Sequence, residues 1–507
     1  MKLAIFHYHL NPGGITDAII YAVRILLFRL DYIQEIRLVT GCRGSTEGIL
    51  SSIREGFESS RRDKIRLDVL DEIGYSEARK GPDPDKLAAR LEARYDEDTI
   101  FWVHNYHIGE NTSFTTALMK VATQGRRDVL LHIHDFPECG RLADPMRIEN
   151  SGDEPPPYPS GARIRYAVVS ERDLNILTDS GLEGSVYLLS NPVPIPRLEE
   201  VNSVETKRAL EELFTSYISE APILLYPVRA IRRKNILESA LFARILHQPA
   251  NLIVTLAGLS TQEKSYSNLV RRAYKEGLIP GAWCPETSGD ARLHYTHLIS
   301  SCDAVISTSV QERSGHLFLN SMLWRKPLLA RYLDILDEML ELFGDYPRRF
   351  WTDFRIPATL ELRERTKAAY LEKIKRIESS MPQKALKSAI AAVSKLAASG
   401  GIDVSYLSVE DQLAALRLAS EDREWLDRTR NLNQELLESA ERTLRANPPR
   451  MDKVLEPHLG DSRYVKSFIE IVQSFGRKRK SPSPEKIGES IKKAFGRIDY
   501  LRLLYDF

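Results

Sequence analysis

A chain of 507 residues is longer than one hydrophobic core usually supports, so two or more domains are expected. Its 71 basic and 70 acidic residues nearly cancel, which leaves no one-signed field to hold nucleic acid and excludes that class of main partner. Hydrophobic residues make up 43% and charged residues 28%, the balance of a soluble globular protein, and no apolar run reaches the roughly eighteen residues a spanning helix needs.

The amino terminus enters an apolar strand at once, and that run is too short for a signal peptide. In its first half the chain alternates β-branched apolar runs with amphipathic stretches, the pattern of a mostly parallel sheet covered by helices. Strands are predicted at Leu3 to His7, Glu35 to Thr40, Ile65 to Val69, Thr99 to His104, Val129 to Ile133, Arg165 to Val169 and Ser185 to Leu189. Helices are predicted at Ile15 to Phe28 and Phe114 to Thr123, and the proline-rich stretch Gly152 to Ser160 reads as a loop. Asn191-Pro192-Val193-Pro194-Ile195-Pro196 is a stiff extended segment that suits a hinge between domains.

Beyond the hinge the pattern restarts, with strands at Ile223 to Pro227, Asn251 to Ala257, Ala304 to Ser307 and Pro327 to Ala330. Helices fall near Asn235 to Leu246, Tyr266 to Glu276, Leu293 to Ser300 and Leu317 to Trp324. From about Leu333 onward the composition turns helical, most strongly over Glu361 to Ser379 and Val409 to Leu444. A basic run, Arg477-Lys478-Arg479-Lys480, precedes a last amphipathic helix at Lys486 to Leu504. It reads as a solvated linker, with a peripheral contact to anionic lipid as the rarer alternative. The four cysteines, Cys42, Cys139, Cys284 and Cys302, form no Cys-x-x-Cys pair, which argues against a disulfide framework or zinc knot and suits a reducing cytoplasm.

Polar clusters sit just past the carboxyl ends of predicted strands, where open α/β sheets bind ligands. They are His7 to Gly14, His104-Asn105-Tyr106-His107, His132-Ile133-His134-Asp135, Arg229 to Asn235 and Glu312 to His316. Gly13 and Gly14 precede a helix amino terminus, where bare backbone N–H groups and the helix dipole favour a phosphate. As a sequence feature alone this is also an ordinary turn. Six of the eleven histidines lie in the first three clusters, and their alternation along strands is also a metal-ligand arrangement, so a metal hydrolase is a rival reading. No His-x-x-x-His pair supports it. Arg229 and Lys234, five residues apart at a strand end and helix start, can converge on one polyanion, as a diphosphate leaving group requires. A solvated basic turn is the plain alternative.

The order of these motifs resembles retaining glycosyltransferases of the GT-B fold, specifically the group-4 family, over roughly Leu3 to Ala330. The Pro-Gly-Gly turn comes first, then His134-Asp135, Val168-Val169-Ser170-Glu171, Ser190-Asn191-Pro192-Val193 and Tyr226-Pro227-Val228-Arg229 with Lys234. Ala257-Gly258, Cys302 to Ser307, Gln311-Glu312-Arg313-Ser314-Gly315 and Arg325-Lys326-Pro327-Leu328-Leu329 follow. The resemblance implies two Rossmann-like domains facing a cleft: an acceptor domain over 1–196, and a donor domain over 197–430 with a helical insertion near 331–399. Carboxy-terminal helices over 431–507 would cross back to the first domain.

It further implies a metal-independent hexosyl transfer from a nucleotide diphosphate sugar to a small-molecule or glycan hydroxyl, with the anomeric configuration kept and no cofactor. Arg229 and Lys234 would hold the diphosphate, Gly13 and Gly14 would line the phosphate side, and His134 would lie near the reacting carbon. Glu312 would bond the transferred sugar, helped by the N–H groups of Gly315, His316 and Leu317. His104, Asn105 and His107 are assigned to the acceptor. Two departures stand out: Asn320 replaces the family's usual second Glu, eight residues after Glu312, and Ser314 replaces a more common aromatic residue. Asn320 keeps hydrogen-bonding capacity without charge. A sugar phosphorylase and a non-catalytic nucleotide-sugar-binding scaffold are the alternatives. Arg43, Arg141, Arg163 and Arg165 are candidates to receive an acidic or phosphorylated acceptor.

Overall fold

The computed structural model describes residues 1–44, 46–75, 82–139, 157–192, 202–258, 261–312, 315–396, 400–448 and 460–505. The chain divides into two compact units. Unit 1 comprises Met1–Pro194, Ser380–Pro382 and Leu455–Gly496, and unit 2 comprises Ile195–Ser379, Gln383–Val454 and Arg497–Phe507. The segment belonging with unit 1 is therefore 455–496, narrower than 431–507, and the chain returns to unit 2 after it. Most of the expected hinge, 193–196, lies outside the described residues, as do most of the 152–160 loop, Arg141 and Ser314.

Among the described residues unit 1 holds seven parallel strands: β1 (Lys2–His7), β2 (Glu35–Thr40), β3 (Ile65–Val69), β4 (Thr99–His104), β5 (Val129–Ile133), β6 (Ile164–Val168) and β7 (Val186–Leu188). Their order is β3-β2-β1-β4-β5-β6-β7. Helices cover both faces of such a sheet, so central strands read as near-continuous apolar runs; every residue of Thr99-Ile-Phe-Trp-Val-His104 is buried. The core gathers Leu3, Ile5, Val23, Leu38, Trp102 and Leu130. Tyr464, Phe468 and Ile471 join it from the helix Asp461–Ser474, which explains why that late segment belongs to this unit.

Unit 2 repeats the plan with β8 (Ile223–Arg229), β9 (Asn251–Leu256), β10 (Gly281–Trp283), β11 (Ala304–Ser307), β12 (Leu328–Arg331) and β13 (Arg348–Trp351), ordered β10-β9-β8-β11-β12-β13 and parallel throughout. A short antiparallel pair, β14 (Arg355–Pro357) and β15 (Gly401–Asp403), brackets two helices, Leu360–Arg376 and Gln383–Leu396. The stretch expected to be a helical insertion thus begins by extending the main sheet. In each unit the strand order reverses once, between β1 and β4 and between β8 and β11. At such a switch point adjacent connections leave in opposite directions and open a crevice beyond the carboxyl ends.

Candidate functional site

At the unit 2 switch point β8 and β11 lie side by side, so the residues following each come together. After β8 the chain makes a single tight turn, Arg232–Lys234, and Asn235 takes a left-handed conformation (φ 51°, ψ 47°) before the helix Ile236–Ile245. Asn is among the few residues other than glycine that adopt this conformation readily. Two hydroxyls fix the turn: Tyr226 OH donates to the Lys234 carbonyl at 2.8 Å, and Thr308 Oγ1 donates to the Asn235 carbonyl at 2.9 Å.

The Lys234 ammonium then meets Glu312 Oε1 in a short ion pair with both side chains largely buried. Arg233 Nη1 lies 3.6 Å from Glu312 Oε2, and Ser309 Oγ donates to Oε1 at 2.5 Å. Burial by itself pushes the Glu312 carboxyl up, but Lys234 and Arg233 outweigh it and hold the group below its ordinary value. The site therefore keeps an ionised carboxylate clasped by two cations. Sequence reasoning placed Lys234 and Glu312 here; Arg233 and Ser309 belong to the same carboxylate shell. Their signal was the basic run itself and a serine three residues before Glu312.

Arg229, at the end of β8, stands differently: its Nη1 lies 3.6 Å from Glu263 Oε1, on the neighbouring helix Thr261–Lys275. Gly315 caps the helix His316–Leu323 with a φ of 61°, and a Cβ built there would lie 2.4 Å from Met339 Cε. Among the described residues no side chain caps this helix, and the N–H groups of Gly315, His316 and Leu317 precede its first intrahelical donor, that of Phe318. His316 Nε2 is buried without a partner among the described residues, and burial lowers this imidazole to about 4. Asn320 lies one turn further on and is half-buried.

At the unit 1 switch point Gly13 and Gly14 open the helix Gly14–Arg29, which has no side-chain cap. A Cβ at Gly14 would meet nothing within 4 Å, and one at Gly13 only Asn11 O at 3.9 Å, so the fold itself does not demand these glycines. Gly44 approaches Asn11, where a Cβ would come within 2.6 Å of its Oδ1, which brings the exposed Arg43 to the same end of the sheet.

The residues after β4 and β5 are enclosed: His104, Asn105, His107 and His134 are all buried. Asn105, at φ 50°, accepts the His134 N–H on its Oδ1 at 2.8 Å. His104 Nδ1 and His134 Nε2 are hydrogen-bonded at 2.8 Å, and Trp102 Nε1 donates to His132 Nδ1 at 3.2 Å. Ligating nitrogens of His104, His132 and His134 lie within 4.8 Å of one another, a separation one metal ion can span. Their rings are stacked or tilted alongside one another, and the hydrogen bonds already engage a nitrogen on each ring. The arrangement fits rings hydrogen-bonded to one another and to Trp102 better than a set of lone pairs converging on an ion. Burial lowers His132 to about 3 and His107 to about 4.

Two of the arginines considered for an acidic acceptor have other work. Arg165 is fully buried and donates to Ser474 Oγ at 2.8 Å and the Ala162 carbonyl at 3.0 Å, joining the sheet to the helix Asp461–Ser474. Arg163 precedes β6, at the opposite end of the sheet from the switch-point loops, and faces Asp128 at 3.4 Å. A surface cavity of about 380 Å³ lies between β7 and the helix Asp461–Ser474, three strands over from β4 and without the residues that converge at either switch point. Chemistry, rather than cavity size, therefore marks the site.

No family model matches the chain. It is 27% identical, along the whole length of both proteins, to mannosylglucosyl-3-phosphoglycerate synthase of Petrotoga mobilis. Among solved structures it is similar to Anabaena HepE in complex with UDP-glucose, at 14% identity and a TM-score of 0.47, over 87% of this chain and 100% of that one. It is also similar to a glycosyltransferase from Rickettsia africae, at 12% identity and a TM-score of 0.44, over 88% of this chain and 99% of that one. In its pair of Rossmann-like units and the order of its motifs, the chain is similar to GT-B glycosyltransferases.

Proposed function

We propose that this chain is a retaining glycosyltransferase that moves a hexose from a nucleoside diphosphate sugar to a hydroxyl of a glycosylated phosphoglycerate. The observation that carries the reading is the buried Glu312 carboxylate held between Lys234 and Arg233 at the unit 2 switch point. The acceptor class follows the full-length relative, whose name gives its product as mannosylglucosyl-3-phosphoglycerate.

In this mechanism the donor diphosphate takes Lys234, Arg233 and Arg229 as counter-cations, with the uncapped N–H groups of Gly315, His316 and Leu317 beside it. Glu312 accepts hydrogen bonds from the sugar hydroxyls; an ionised acceptor gives stronger bonds than a neutral one. The bond between the anomeric carbon and the diphosphate oxygen breaks, and negative charge grows on that oxygen, where fixed cations stabilise it most. The acceptor oxygen bonds to the same face of the anomeric carbon, and its proton passes to the departing diphosphate. His134 is assigned to the sugar side of the reacting carbon. His104, Asn105 and His107 keep their place on the acceptor side, where the Asn105 amide oxygen also fixes the His134 backbone. Asn320 takes the place of the carboxylate that resembling enzymes direct at the ribose. No metal ion is invoked, because the three cations supply the positive charge.

Thermal stabilisation by a panel of nucleotide sugars, followed by transfer assays with glucosyl-3-phosphoglycerate as acceptor, tests the reading. Stabilisation by one nucleotide sugar and formation of a diglycosyl phosphoglycerate are expected. Stabilisation by none, or product that depends on inorganic phosphate instead of a nucleotide sugar, overturns it.

A further inference from the structure

Unit 2 contains a line of buried polar contacts that the proposed reaction does not use. Arg502 Nη1 donates to Ser405 Oγ, and Ser405 Oγ donates to Asp403 Oδ1 at 2.6 Å. Asp403 Oδ1 receives Arg331 Nη2 at 3.0 Å, and Arg331 Nη2 also lies 2.7 Å from Glu238 Oε1. Glu238 Oε2 accepts from Asn235 Nδ2 at 2.5 Å. Asn235 is the left-handed residue directly after Lys234. All six side chains are buried, Arg502 being the most exposed at 7%.

The far end is held just as firmly. Arg502 stacks over the Tyr406 ring at 3.9 Å, Lys373 Nζ donates to the Arg502 carbonyl at 2.7 Å, and Tyr370 OH accepts the Leu503 N–H at 3.3 Å. Lys373 and Tyr370 stand on the helix Leu360–Arg376, so the insertion clasps the segment that returns from unit 1. Leu503–Tyr505 pack beside the Arg232–Lys234 turn. A packed hydrophobic replacement of a buried ion network is often no less stable, so stability alone does not account for one.

We infer that this network positions the Lys234 turn, with Asn235 and Arg502 as its terminal positioning residues, so that residues 497–505 and the helix Leu360–Arg376 set the geometry of the donor-phosphate site. The inference rests on the proposed donor site for its functional meaning, while its mechanical content stands on unit 2 alone.

Asn235→Gly removes the side-chain link yet keeps a residue suited to the left-handed backbone. Arg502→Gln removes the far cation, and Arg502→Lys restores it. Amide hydrogen exchange over 231–236 and calorimetric binding of UDP and GDP are measured in the full chain for the parent, both single variants, the double variant and Arg502→Lys. Exchange at the turn is expected to quicken by about threefold to thirtyfold in each single variant, with nucleotide binding weakened over the same range. The double variant is expected to be no worse than the worse single, and Arg502→Lys to recover most of the loss. Exchange at the turn within twofold of the parent in Arg502→Gln, or additive losses in the double variant, overturns the inference. If the parent binds neither nucleotide, the donor assignment fails, and the exchange rates still decide whether the network holds the turn.

Discussion

Lys234 and Glu312 come from loops after two different strands, 78 positions apart in the chain, and meet because β8 and β11 are neighbours where the sheet reverses its strand order. The pairing has a chemical consequence. A buried carboxylate that would otherwise favour its neutral form stays ionised, because Lys234 and Arg233 outweigh the cost of burial. In the proposed reaction the donor diphosphate is a second anion for Lys234, and Glu312 is left to sugar hydroxyls.

The uncharged Asn320 sits one helical turn from His316. Asn320→Glu should tighten nucleotide binding by about fivefold, the difference of roughly 1 kcal/mol between a charged and a neutral acceptor, with turnover little changed. Titration calorimetry with the preferred nucleotide checks this. Unchanged or weaker binding removes Asn320 from the ribose contact.

Gly315 carries a positive φ at the start of the helix His316–Leu323, and its Cβ position is already taken by Met339. Gly315→Ala should cost about 1–2 kcal/mol of stability from the left-handed backbone. It should also lower turnover at least tenfold through displacement of the N–H groups at the helix start. A variant that matches the parent in both respects would show that these amides do not touch the donor.

Arg165 and Arg43 separate structure from recognition in unit 1. Arg165→Ala leaves carbonyls and Ser474 without their buried donor and should lower the melting temperature by several degrees, whatever the substrate. Arg43→Ala should leave melting unchanged and raise KM for a phosphorylated acceptor severalfold. Equal acceptor KM in the Arg43 variant and the parent would place the acceptor phosphate elsewhere.

How much of this was legible beforehand depends on burial. The strands on both sides of each switch point were plain, because a sheet covered on both faces imposes continuous apolar runs such as Val129 to Ile133. β13 was hidden: Arg348-Arg349-Phe350-Trp351 is an edge strand only partly buried, so its two arginines mask the apolar signal. β10 is three residues long and starts at Gly281, whose Cβ would lie 2.1 Å from Leu252 O, a close approach that no local pattern announces. In the site, Lys234 and Glu312 were readable from their places after strands. The partition of the arginines was not: that Arg233 serves Glu312 while Arg229 faces Glu263, and that Arg165 is internal, depends on contacts between residues distant in sequence. The helix expected to run from Lys486 to Leu504 ends at Phe495, with Gly496 as its C-cap and Arg497 beginning the return to unit 2.

Buried neutral histidines give the protein a definite response to acid. Burial lowers His7, His107 and His316 to about 4 and His132 to about 3. In the unfolded chain each takes a proton below about pH 6.5, whereas the folded form refuses it until about pH 4. Stability is therefore fully present above pH 6.5 and falls as pH drops towards 4, by about 1.4 kcal/mol per pH unit for each such histidine. Urea unfolding between pH 7.5 and 4.5 measures the slope, and His107→Gln should flatten it by one histidine's share. A stability independent of pH across that window contradicts the buried, neutral assignment.

The central claim is that Lys234 and Glu312 form the donor-diphosphate and sugar site, and one comparison reaches it directly: kcat/KM for transfer from the preferred nucleotide sugar in the parent, Lys234→Ala and Glu312→Gln, alongside their melting curves. Loss of a cation or carboxylate that acts on developing charge should lower kcat/KM by about a hundredfold to a thousandfold in each variant while both remain folded. Transfer within threefold of the parent in either folded variant would contradict the account.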